Sequence, residues 1–173
     1  MTVTKGSLLL AVGIFLLLLL PGRIIGYQWR DLIAGRRLLD SGRHAEAITL
    51  FERFLADIRG KRWLKTLIWL APSLYTTKAE AMTLNNLGVC QLELGDFETA
   101  QAHFEHALSI DPKYPMPHYN LAILEMYQDR PESSERHLSE AVRLGFKRGS
   151  MDKVIQKSKS IYARMEPMAR HTP

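Results

Sequence analysis

A single cysteine, Cys90, stands among the 173 residues. One thiol excludes an internal disulfide framework and leaves the redox compartment open. No cysteine lies near the N-terminus to accept a lipid. No glycine-rich phosphate loop, zinc-ligand spacing or recognised serine or cysteine nucleophile motif occurs. The six histidines are scattered. His103 and His106 lie three apart with Glu105 between them, but no third ligand falls at a matching phase, so no metal site is expected. A continuous basic track is also missing. Residues 1–80 carry twelve Lys or Arg against six Asp or Glu, residues 81–142 three against ten, and residues 143–173 eight against two. The net charge of +5 therefore divides into +6, −7 and +6. An acidic middle between basic ends does not suit nucleic acid. The basic ends suit lipid, an acidic partner or plain solvation. These absences predict no enzyme: no catalytic residue, no metal, no cofactor, no small-molecule substrate and no nucleic acid.

What is present begins with a hydrophobic run. Residues 8–20, LLLAVGIFLLLLL, are thirteen uninterrupted apolar residues. That length falls between a signal-peptide core and a spanning helix. Counting from Val3, with Lys5 and Arg23 reaching the interfaces, extends it to about 20 residues, which spans a bilayer. No A-x-A site follows. Residues 1–26 therefore read as a retained single-pass anchor, with a cleaved leader as the alternative. Arg23, Arg30, Arg36 and Arg37 follow the run, whereas only Lys5 and the amino terminus precede it. The positive-inside rule places the rest of the chain on the cytoplasmic side. A short leader with one lysine is also the form of an export signal, which would place it outside.

Beyond the run, the chain repeats itself. Leu84-x2-Leu87-Gly88 is followed by Gly95, Ala100-x3-Phe104-x2-Ala107 and Pro112. Small residues at 88 and 100 let two antiparallel helices approach closely, while Phe104 and Ala107 share one helical face. Gly95-Asp96 supplies the turn and Asp111-Pro112 the stop. The next copy places Leu121-Ala122, Asp129, then Ser134, Leu138 and Ala141 at the same offsets, with Pro131 opening its second helix. An upstream copy places Gly35, Gly42, Ala47 and Phe51, with Ala34 for the leucine and Phe54 at the small Ala107 position. The pattern resembles the tetratricopeptide (TPR) repeat family, with Leu84 and Gln91 where that family carries Trp and Tyr. The resemblance implies an all-α helical-hairpin solenoid over 27–148, with repeats at about 28–61, 81–114 and 115–148. Cys90, beside Gly88, reads as a small buried residue.

Two segments depart from a regular array. Residues 62–80, RWLKTLIWLAPSLYTTKAE, separate the first two repeats. They read either as an extended helix packed under its neighbour or as an interfacial helix. In the second reading Trp63, Leu67, Ile68 and Trp69 enter lipid while Arg62 and Lys65 meet anionic headgroups. Residues 149–166 carry Met151, Val154, Ile155, Ile161, Tyr162 and Met165 at near-helical spacing and are expected to cap the solenoid. Residues 167–173 are expected to be loose.

In the family, the first helix of each repeat lines a concave groove. Carried onto this chain, the groove positions are Met82, Asn85, Asn86, Val89, Leu92 and Glu93, then Met116, Tyr119, Asn120, Ile123, Met126 and Tyr127. Asn86 and Asn120 are equivalent, and an amide both donates to and accepts from a peptide backbone. The alternative is that these amides satisfy neighbouring helices. The family's carboxylate clamp for chaperone C-termini has no match: Leu32, Arg36, Met116 and Asn120 occupy its positions. The resemblance implies an adaptor binding a protein partner, a peptide or helical segment; with the run at 8–20 as anchor and the 62–80 segment, the expectation is a membrane-anchored adaptor that also touches membrane lipid. The alternative is a structural subunit of a larger membrane complex.

Overall fold

A computed structural model describes residues 29–60, 78–147 and 150–169. They form seven helices: α1 at 29–40, α2 His44–Gly60, α3 Ala79–Leu94, α4 Phe97–Ile110, α5 Pro115–Tyr127, α6 Pro131–Arg143 and α7 Met151–Ala169. Among the described residues there is no strand. The first six helices pair as three hairpins, and each later hairpin sets its first helix against the second helix of the one before.

The repeated small residues explain the close pairing. A Cβ placed on Gly88 would lie 2.5 Å from Cε1 of Phe104, and one on Gly35 would lie 2.7 Å from Cε1 of Phe51. Both rings are fully buried. In the third hairpin Ala122 and Leu138 replace Gly and Phe, so a methyl is gained where a ring is lost. There Ser134 is buried and its Oγ donates to the Ala122 carbonyl at 2.7 Å.

The turns repeat as well. Gly42, Gly95 and Asp129 have φ of 78°, 85° and 58°. At each, the residue in the left-handed region donates back three residues and its successor donates back five. The longer bonds are Arg43 to Leu38, Asp96 to Gln91 and Arg130 to Glu125, each 2.9 Å. This closure satisfies the last carbonyls of the first helix. Asp96 then starts α4 by accepting from the Thr99 amide at 3.2 Å. Pro131 begins α6, and α4 stops at Ile110 ahead of Asp111-Pro112.

The core falls into two neighbouring clusters. One gathers Phe51, Phe54, Leu84, Leu87 and Cys90; the other gathers Phe104, Leu121, Leu124, Val154 and Ile161. Burial pushes the Cys90 thiol up to about 12, aided by nearby Glu93, so it is an inert packing group. Phe54, at the normally small position, meets Trp29 with ring centroids 5.6 Å apart.

Several boundaries differ from expectation. α3 starts at Ala79, within the stretch assigned to the insertion, and Glu80 there pairs with Arg59 at 2.8 Å. α7 runs to Ala169, so the expected loose tail is helical at its start. Trp63, Leu67, Ile68, Trp69, Arg62 and Lys65, and the run at 8–20, lie outside the described residues. Among the described residues, no helix is long and apolar enough to cross a membrane.

Candidate protein-binding site

The first helices α1, α3 and α5 stand side by side, and the row expected to line the groove runs along α3 and α5. Its amides are more committed than the sequence suggests. Asn85, Asn86 and Asn120 are only 2%, 1% and 6% exposed. Asn120 Nδ2 donates to Asn85 Oδ1 at 2.9 Å, joining the second and third repeats across a buried contact. Of the two roles the sequence left open for Asn120, this contact is the internal one: its amide satisfies a neighbouring helix. Adjacent first helices approach closely enough for this amide to be used internally. Asn86 differs. Its Oδ1 accepts from Arg36 at 3.4 Å, while its Nδ2 is buried without a partner among the described residues.

These residues floor a cleft of about 400 Å³. Arg36, Leu39, Asp40, Gly42 and His44 border it from the first hairpin. Asn85, Asn86, Val89 and Glu93 come from α3, Met116 and Asn120 from α5, and Lys157 from α7. The structure thus brings together part of the expected set and adds a first-repeat wall. That wall was legible: applying the same groove spacing to the first repeat lands on Arg36, Leu39 and Asp40. Lys157 was not, because nothing in the repeat frame places α7 beside α3.

The remaining row residues are used within the chain. Ile123 is buried at 3% exposure. Tyr119 packs against Phe146 in a tilted pair, 4.6 Å between centroids. Tyr127 lies between Phe97, at 4.3 Å, and Tyr162, at 6.2 Å. Glu93 pairs with both Lys157 and Arg164 of α7, each at 2.5 Å. Met126 is half-buried and faces a second, larger opening of about 860 Å³ beyond the last hairpin. That opening is walled by Leu138, Val142, Met151 and Ile155.

The described histidines do not converge on a metal. Among the described residues, no group of three His, Cys, Asp or Glu side chains is placed to hold one. His103 is half-buried and burial lowers its pKa, whereas His106 is exposed. A histidine pair missed in the sequence does form. Nδ1 of His118 on α5 and Nδ1 of His137 on α6 are 3.2 Å apart. Burial depresses both imidazoles below the ordinary range, with His137 the next contributor at His118.

Comparison with known families agrees with this architecture. Residues 81–114 match the tetratricopeptide repeat, and residues 28–53 match another model described by the same name. No curated protein matches the chain. Repeats of this kind stack into surfaces that bind other proteins.

Proposed function

We propose that this tetratricopeptide repeat protein is a membrane-anchored adaptor that holds a protein partner in the cleft between its first helices. One observation carries the reading. Asn86 Nδ2 is a buried donor without a partner among the described residues, on the floor of a cleft that all three repeats wall. A buried amide hydrogen left unmatched costs free energy, and a partner that draws this side chain toward the cleft and offers it a backbone carbonyl removes that cost. Arg36, which already steadies the other end of the same amide, adds a cation at the rim. The run at 8–20 supplies the anchor in this reading, and the 62–80 segment rests on lipid or another subunit.

The test separates the two amide roles. Crosslinked membranes carrying the full chain are solubilised and the captured protein is identified. Asn86→Ala is expected to weaken capture about 2- to 12-fold, the equivalent of about 0.5–1.5 kcal/mol for one hydrogen bond, with little change in melting temperature. Asn120→Ala is expected to lower the melting temperature instead, because it strands Asn85. Undiminished capture by Asn86→Ala would remove the cleft as the site.

A second reading, a structural subunit of a larger membrane complex, is favoured by the apolar opening beyond α6, where Val142 is 49% exposed. Capture lost on Val142→Glu but kept on Asn86→Ala would select it.

A further inference from the structure

The last helix breaks the packing rule of the other repeats. α3 sits against α2 and α5 against α4, each first helix on the preceding second helix. α7 packs chiefly on α5, a groove-lining helix. It also reaches the second repeat. Lys157 and Arg164 pair with Glu93, and Met165 lies against Gly95. The outer face of α6 is left with the apolar opening that a regular capping helix would fill.

We infer that α7 is an internal ligand occupying part of the concave groove, and that the external partner is a basic amphipathic helix that takes its place. This rests on the concave row being the partner site. The seam of α7 is Val154, Ser158, Ile161 and Met165, spaced four, three and four residues apart, which is one continuous helical stripe. Val154 and Ile161 are fully buried. Lys157 and Arg164 flank the stripe seven residues apart, so both cations fall on the one carboxylate of Glu93. The charge profile fits: the segment from 81 to 142 carries −7 and the segment from 143 onward carries +6. A helix with this stripe and these cations is what the groove accepts.

The seam also carries a built-in weakness. Ser158 is 5% exposed at its centre, and its Oγ donates to the Ile155 carbonyl of its own helix at 2.9 Å. Among the described residues, its hydroxyl gains no hydrogen bond from the groove. A partner with an apolar side chain at that point has the better seam. Because α7 is tethered through a short loop, it competes at a high effective concentration, on the order of millimolar. Displacement therefore requires the better seam.

The probe is a labelled synthetic peptide with the sequence of residues 150–169. Full-length Lys157→Glu/Arg164→Glu protein in detergent is expected to bind it at least about 10-fold more tightly than the unaltered protein, whose groove is filled. Adding Glu93→Lys to that variant should abolish binding. Equal binding by the unaltered and Lys157→Glu/Arg164→Glu chains, or none by a Lys157→Glu/Arg164→Glu chain that keeps its helical circular dichroism, overturns the proposal. Hydrogen exchange on the unaltered chain gives an independent reading. The α7 amides are expected to open before those of α5, and Ser158→Val should narrow that difference. Equal protection of α7 and α5 in the unaltered chain makes α7 a fixed part of the core and overturns the proposal. If the peptide binds as expected but does not displace the captured partner, internal occupancy stands and the cleft as partner site fails.

Discussion

At the scale of single residues, the first two hairpins are held by glycine contacts that leave no space for a methyl group. Gly88 lies under the ring of Phe104, and Gly88→Ala forces that ring to move. Overpacking of this kind costs about 1–3 kcal/mol. Phe104→Leu should relieve part of that cost, because the third hairpin already pairs Ala122 with Leu138. A double-mutant cycle read by urea melting should show favourable coupling, and additive costs would disprove the contact. The pairing of His118 with His137 makes a different prediction. Their folded pKa values lie below the unfolded value of about 6.5, chiefly through burial. Glu140 opposes and Arg143 reinforces this at His118; Glu125 and Glu105 oppose and Arg136 reinforces it at His137. The unfolded chain then binds more protons, so stability is full above about pH 6.5 and is lost as pH falls toward the folded values. Melting temperature should fall on acidification below about pH 6.5, and fall less in His118→Gln/His137→Gln. An equal fall in both proteins would place the pH dependence elsewhere.

At the scale of elements, the turns show what the sequence discloses and what it hides. Glycine at 42 and 95, and aspartate at 129, stand at equivalent offsets, and all three adopt the left-handed backbone. That regularity was legible because only a few residues tolerate such φ values. The pairing of Asn120 with Asn85 was not legible. Equivalent positions in a repeat predict equivalent roles, yet the hydrogen bond joins two different positions of the groove row. Nor did a helical stripe at 151–165 disclose which neighbour it would choose, since apolar spacing specifies a face and not its acceptor. Two glycine substitutions separate the turn from that neighbour. Among the described residues, Gly42 has no atom within 4 Å of an added Cβ, so Gly42→Ala carries the backbone cost, about 1–2 kcal/mol. At Gly95 the added Cβ would also lie 2.7 Å from the sulfur of Met165. Gly95→Ala should therefore destabilise somewhat more than Gly42→Ala, by the small cost of displacing the flexible end of Met165, and Met165→Ala should remove the excess. Equal costs for both glycines would show that α7 is not pressed on this turn.

At the scale of the whole molecule, the charge profile has a spatial counterpart, with basic α7 laid on the acidic second repeat through Glu93. The basic N-terminal portion has its own prediction. Eleven of the thirteen residues at 8–20 are Leu, Ile, Val or Phe. At about −0.3 to −0.6 kcal/mol each near a bilayer centre, they favour insertion by roughly 3–7 kcal/mol. An electrostatic association through Arg23, Arg30, Arg36 and Arg37 would behave differently, because about 1 M salt reduces the Debye length to about 3 Å. Membranes carrying the full chain are washed first in high salt and then in alkaline carbonate. The protein is expected in the pellet after both washes, with its leader retained on N-terminal sequencing. Release by salt would reduce the attachment to surface charge. A mature N-terminus near Tyr27 would show that the run is a leader, and the adaptor would then act without an anchor of its own.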